Sequence, residues 1–207
     1  NKLYAGHHTG LFLLEKGEAI RRADSNGLWE VKQLRSNPSY AVAGTYSGLH
    51  LFRINDRGDL ENVQTIGGFD ESSRFFEEDR KGMIWVGQYY RGLYQLMLNQ
   101  SLAEAVVRKT PDEFDHKIGK HVILSRVDDE LYIGSDRGIF RIDQTTDSMV
   151  EDGLFSGVVG NSWVYLLAQD EQKNVHVFTE DRVGFFKQVS PNNYTYIPSS
   201  LFQLRHT

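Results

Sequence analysis

Short runs in which apolar and aromatic residues alternate with smaller or polar ones fill this chain, and polar turns break them every few residues. Alternation with a period of two predicts half-buried strands, not helices. Five of the runs read alike. They are Leu3-Tyr-Ala-Gly-His-His-Thr-Gly-Leu-Phe12, Ala41-Val-Ala-Gly-Thr-Tyr-Ser-Gly-Leu-His50, Ile84-Trp-Val-Gly-Gln-Tyr-Tyr-Arg-Gly-Leu-Tyr94, Leu131-Tyr-Ile-Gly-Ser-Asp-Arg-Gly-Ile-Phe140 and the degenerate Val175-His-Val-Phe-Thr-Glu-Asp-Arg-Val-Gly-Phe185. Counted from Gly6, Gly44, Gly87, Gly134 and Phe178, the steps are 38, 43, 47 and 44 residues. Each copy predicts strand, short loop, strand. The first glycine closes one strand, the second opens the next, and access to positive φ suits glycine to the turn between them. No helix signal follows these glycines, so a phosphate-cradling role is not indicated.

Further strands are expected in the intervals. Upstream of the later copies lie Leu28 to Leu34, Ser73 to Glu77, His121 to Val127 and Trp163 to Ala168, each followed by a polar turn. Downstream lie Leu60 to Ile66, Val106 to Lys109 and Tyr194 to Ile197; Ser101 to Arg108 fits two helical turns or an outer strand. About four strands per period of 40 to 47 residues is the blade pattern of a β-propeller. The expected fold is therefore all-β, one propeller domain over 1–207 of five four-stranded antiparallel blades at about 1–26, 27–69, 70–115, 116–157 and 158–199. Leu3, Ala43, Val86, Ile133 and Val177 are expected to be buried, and helix to be confined to single turns. The segment Leu201 to Arg205 resembles a missing first strand, expected to pair with Lys2 to Gly6 and close a five-bladed ring. The rival is a fragment of a larger, seven-bladed ring.

Composition narrows the functional classes. Of 207 residues, 40% are hydrophobic and 12% aromatic, enough for a real core. A net charge of −5 with both signs scattered argues against nucleic acid, which needs a concentrated basic surface. The absence of cysteine excludes disulfides, thiolate metal sites and a cysteine nucleophile. No run approaches the 18 or more apolar residues of a membrane span, so no membrane contact is expected. The start at Asn1 suggests excision from a longer precursor.

Ile84-Trp-Val-Gly with Arg91-Gly-Leu-Tyr94 and the preceding Glu78-Asp-Arg-Lys-Gly82, and likewise Leu131 to Asp143, resemble the two-component regulator propeller repeat. The resemblance covers nearly the whole chain; the fifth copy lacks both glycines at their places. It implies a ligand-sensing, extracytoplasmic domain of a hybrid two-component histidine kinase of the Bacteroidetes type, periplasmic and non-catalytic. It further implies a carbohydrate signal, neighbouring domains of the same receptor and a homodimer as partners, and no cofactor. Plain protein–protein scaffolding is the alternative, and a five-bladed glycoside hydrolase the second.

The loops between second and third strands carry His7-His8-Thr9, Thr45-Tyr46-Ser47, Gln88-Tyr89-Tyr90-Arg91, Ser135-Asp136-Arg137 and Thr179 to Arg182. Aromatic rings stack on sugar C–H faces, while Arg, Asp and Gln bond hydroxyls. Tyr46, Tyr89, Tyr90, Arg91, Asp136 and Arg137 are accordingly the candidate ligand contacts. The simpler account is polar loops, with Arg91, Arg137 and Arg182 paired to nearby carboxylates. His7-His8 lacks a third metal ligand in the sequence, so no metal site is expected. Trp29, Trp85 and Trp163 fall on strands, where blade packing is the expectation. A hydrolase would need two carboxylates about 5 to 9.5 Å apart. Glu77, Glu78 and Asp128 are the candidates, all near turns.

Overall fold

The computed structural model describes residues 2–88, 91–146 and 148–199. The first sheet is β1 (Leu3–His7), β2 (Gly10–Glu15) and β3 (Glu18–Asp24). The second is β4 (Leu28–Gln33), β5 (Tyr40–Thr45), β6 (Leu49–Ile54) and β7 (Leu60–Ile66). The third is β8 (Phe75–Glu78), β9 (Ile84–Gln88), β10 (Gly92–Leu98) and β11 (Ala105–Lys109). The fourth is β12 (Ile123–Val127), β13 (Glu130–Ser135), β14 (Gly138–Asp143) and β15 (Ser148–Glu151). The fifth is β16 (Val164–Gln169), β17 (Val175–Thr179), β18 (Val183–Ser190) and β19 (Asn193–Pro198). Neighbours in each sheet are neighbours in sequence, joined as antiparallel hairpins such as β5–β6, β10–β11, β13–β14 and β17–β18. Among the described residues the first sheet has three strands. The fourth strand expected from Leu201 to Arg205 lies outside the described residues.

Two compact units divide the chain, one of Asn1–Val86 with Tyr94–Lys109, the other of Gly87–Leu93 with the rest from Thr110 onward. In the first unit, Val42, Leu51, Phe76, Ile84, Val86 and Leu96 form one buried cluster. Leu11, Leu28, Ala43 and Phe52 form another, with Tyr4 packed against it. In the second, Phe155 is fully buried against Tyr132, Phe186 and Tyr194, with ring centroids 5.3, 4.8 and 5.3 Å away.

The two glycines of each repeat do different work. Gly48, Gly92 and Gly138 have φ of +86°, +79° and +101°, the left-handed geometry expected of a turn. The first glycine of each copy instead permits close approach. A Cβ on Gly6 would stand 2.5 Å from the Leu28 carbonyl oxygen, and one on Gly44 only 1.8 Å from that of Ser73. Gly87 meets Val122 at 3.0 Å and Gly134 meets Val164 at 2.9 Å in the same way. The repeat thus marks where the next sheet's leading segment lies against the second strand, which corrects a purely turn-forming role. In the fifth copy Phe178 stands at this position, 42% exposed.

Ala43, Val86, Ile133 and Val177 are buried, whereas Leu3 is 64% exposed. Tyr4 and Gly6 face the second sheet, with the backbone N–H of Leu60 donating to the Tyr4 hydroxyl at 3.0 Å. Alternation turns Leu3 to the opposite side, and among the described residues no strand covers it there. Val106 and Lys109 fall in β11, so the strand option for that segment holds. Helix is limited to α1 (Asp112–Ile118) and α2 (Ser156–Val159). Seven-residue α1 exceeds the single turn expected.

Candidate functional site

The second-to-third strand loops are pinned by a buried hydroxyl at their first position. The Thr45 hydroxyl donates to the Gly48 carbonyl at 2.9 Å and accepts from the Ser47 N–H at 3.2 Å. Ser135 accepts from the Arg137 N–H at 3.0 Å, and Thr179 from the Arg182 N–H at 3.1 Å. These residues are 6%, 0% and 0% exposed, so the loop stem is rigid while its tip faces solvent. A polar residue just inside the strand end therefore fixes the side chains that follow it.

In the first unit, the tip residue Tyr46 belongs to a stack. Its ring lies over Gly27, where a Cβ would approach to 2.4 Å; Gly27 also has φ +75°. Tyr46 meets Trp29 at a centroid distance of 4.8 Å, and both are 41% exposed. The Arg74 guanidinium sits 5.1 Å from the Trp29 ring and 5.1 Å from that of Phe75. Trp29 is presented by a β-bulge. Leu28 pairs with Thr45 and Glu30 with Gly44, leaving Trp29 as the extra residue. Bulges re-aim side chains out of the ladder. Trp29 also borders a cleft of about 440 Å³ lined by Tyr4, Glu30, Val31, Gln33 and Leu60.

The second unit repeats the device. Val164 pairs with Thr179 and Leu166 with Phe178, so Tyr165 is the extra residue of an equivalent bulge. Tyr165 stands 4.8 Å from Trp163 and 5.4 Å from Phe178, and Trp163 stands 3.9 Å from His121. The fourth sheet's first strand pairs without a register shift from Ile123 to Val127 and presents no such ring. Trp29 and Trp163 are thus not core packing, as the sequence suggested. Trp85 is, fully buried with its indole N–H donating to Asp79 at 3.0 Å. The missed signal was an aromatic within one residue of a first-strand start, as in Leu28-Trp29 and Trp163-Val164-Tyr165.

Of the expected contacts, Tyr46 lies in the first stack, and Tyr89 and Tyr90 lie outside the described residues. Arg91 is exposed in the turn between β9 and β10. Asp136 and Arg137 are held by their own surroundings. The Lys120 N–H donates to Asp136 Oδ1 at 2.7 Å, and the Arg137 guanidinium donates to the His116 carbonyl. Arg182 pairs with Asp181 at 2.7 Å, as the simpler account expects. The Arg182 guanidinium and then burial act oppositely on the Asp181 carboxyl, and the former wins, holding it far below the usual range.

The carboxylates a hydrolase would need are engaged elsewhere. Glu77 is 2.5 Å from Lys32 Nζ, which also lies 3.2 Å from Glu30. Burial pushes the Glu30 carboxyl up against the pull of Lys32. The Lys32 ammonium thus bridges these two carboxylates. Glu78 accepts from the backbone N–H groups of Arg35 and Ser36. Asp128 accepts from Tyr194 at 2.5 Å and from Gln188 and Gln169 at 3.0 Å, with Lys173 at 3.5 Å.

The chain is similar to several solved structures. One is the extracellular domain assigned to a hybrid two-component system of B. thetaiotaomicron, with a TM-score of 0.63 and 15% identity over 92% of this chain and 26% of that one. Another such domain from the same organism has a TM-score of 0.58 and 16% identity over 98% and 27%. Virginiamycin B lyase from Staphylococcus aureus has a TM-score of 0.59 and 10% identity over 96% and 67%. The fold is that of a β-propeller. The propeller chain spans about a quarter of the length of the receptor domains it resembles. No family model and no curated protein matches the sequence. No helix among the described residues is long and apolar enough to cross a membrane.

Proposed function

We propose that this chain is a ligand-sensing part of the extracytoplasmic, periplasmic propeller of a two-component receptor, and that its signal is a carbohydrate. The observation that carries this reading is the exposed Tyr46–Trp29 stack, set by a bulge and by Gly27. Rings held by the backbone lose little freedom when a sugar face covers them, so the contact free energy goes into binding. The resemblance of the repeats to sensor propellers and the likeness to extracellular receptor domains support the receptor context. Neighbouring domains of the same receptor, and a second copy of it, are the proposed partners.

The proposed role is binding without turnover. Lys32 bridges Glu30 and Glu77, and Glu78 and Asp128 serve backbone and inter-strand hydrogen bonds. Isothermal titration against a panel of oligosaccharides tests the reading. Replacing Trp29 by alanine is expected to weaken binding by about 1–3 kcal/mol, by analogy with nucleic-acid bases stacked on aromatic side chains. Equal affinity in Trp29→Ala and the parent chain would move the site away from this stack.

A further inference from the structure

The cation in the stack has no ion-pair partner among the described residues. Arg74 is exposed, and its recorded contacts are the ring faces of Trp29 and Phe75, both at 5.1 Å. Several other surface cations of the same unit do have carboxylates: Lys2 and Arg22 meet Asp59, Arg21 meets Asp24, and Arg53 meets Glu61. A guanidinium lying on aromatic faces is held in orientation through its π surface. Its N–H groups point out from the edge and stay available for a planar, bidentate acceptor.

We infer that the Tyr46–Trp29–Arg74 stack selects an acidic oligosaccharide, one whose carboxylate or sulfate is received by Arg74 while a sugar ring packs on the parts of Tyr46 and Trp29 that stay exposed. This deepens the carbohydrate reading and rests on it. The geometry carries two requirements at once: an apolar surface on the exposed parts of Tyr46 and Trp29, and an anion at the Arg74 guanidinium, which lies 5.1 Å from the Trp29 ring centroid. A neutral sugar would satisfy the first and leave the guanidinium edge to water. A simple anion would satisfy the second and leave the rings bare. The net charge of −5 works against diffuse capture of polyanions, so retention of an acidic glycan reports a local contact and not bulk attraction.

The test is an array of neutral, uronate-bearing and sulfated oligosaccharides probed with the parent chain, Arg74→Gln and Trp29→Ala, followed by titration of the best binder at two salt concentrations. The parent chain is expected to bind acidic members, and more weakly at higher salt. Arg74→Gln should lose at least tenfold on those members, and Trp29→Ala should lose binding across the array. Arg74→Lys should recover only part, because the charge returns without the planar fork. Arg74 is exposed, so the melting profiles of its variants should match that of the parent. Binding confined to neutral members, or acidic binding unchanged in Arg74→Gln, overturns the acidic preference and leaves the carbohydrate reading standing. Binding to no member overturns both.

Discussion

Gly44 and Gly58 show how different the demands on one residue type are. Both are small, yet a Cβ at Gly44 would sit 1.8 Å from a backbone oxygen, while Gly58, with φ +74°, has open space around it. Gly44→Ala is therefore expected to cost about 3 kcal/mol or more, the upper range of overpacking. Gly58→Ala should cost only the left-handed penalty of about 1–2 kcal/mol. Urea unfolding of the two variants separates the cases, and equal losses would mean that the sheets can move apart at Gly44. Asp128 offers a titratable counterpart. Burial pushes its carboxyl up, but hydrogen bonds from Tyr194 and Gln169 and the charge of Lys173 outweigh that and hold it below the usual range. A carboxyl depressed by folding stabilises fully above its unfolded value of about 3.9 and loses that contribution as pH falls through the folded one. Asp128→Asn should thus be less stable at pH 7, by about 1–2 kcal/mol for hydrogen bonds to a charged group that is partly solvated. The deficit should shrink below about pH 4; a deficit constant from pH 7 to pH 3 would rule out the carboxylate as its cause.

At the level of elements, the strands were legible because the repeat states them five times, and several of the turns because they carry a side-chain lock. Asn55 Oδ1 accepts from the N–H groups of Arg57 and Asp59, Asp79 Oδ1 from those of Lys81 and Met83, and Asn99 Oδ1 from those of Ala103 and Glu104. Such Asx turns are local and hence readable from sequence. Asp79 adds the buried Trp85 indole, so Asp79→Ala removes acceptors from three donors and should cost about 2–4 kcal/mol in thermal or urea unfolding. A loss near that of the exposed Asn99→Ala would deny the indole bond any weight. What was not legible depends on contacts distant in sequence. Trp29 looks like any strand tryptophan until the Leu28–Thr45 register shift turns it outward. Gly6 and Gly44 look like turn glycines until the carbonyls of Leu28 and Ser73 are seen beside them. Helix α1 did have a local signal, Pro111 followed by Asp112 and Glu113, but a strand-period reading passes over seven residues between two sheets. Of the proposed site, the exposure of Tyr46 was legible because it stands at a loop tip, whereas the placement of Arg74 was not, because nothing local sets it on Trp29.

For the molecule as a whole, ligand binding and stability are linked, and the linkage locates the site. A ligand that binds only the folded form stabilises it by about 2.7 kcal/mol when present at 100 times its dissociation constant. For a chain of this size each 1 kcal/mol moves the melting temperature by roughly 2–4 °C, so a shift of about 5–10 °C is expected. The chain comprises two compact units, and Trp29, Tyr46 and Arg74 all belong to the first. A bound oligosaccharide should therefore raise whichever unfolding transition contains the first unit. Calorimetry of the parent chain and of Trp29→Ala, with and without the ligand, reads this directly. The parent is expected to shift and the variant to stay, while the variant without ligand melts somewhat lower because it loses the packing of Trp29 on Tyr46 and Arg74. An equal shift in both proteins would assign the binding to the second unit, where the bulge at Tyr165 presents Trp163 and Phe178 in the same manner. The same samples recovered after incubation should return the oligosaccharide intact by chromatography. Cleavage products would mean that a carboxylate is free of the contacts that now hold Glu77, Glu78 and Asp128, and would make the chain a hydrolase.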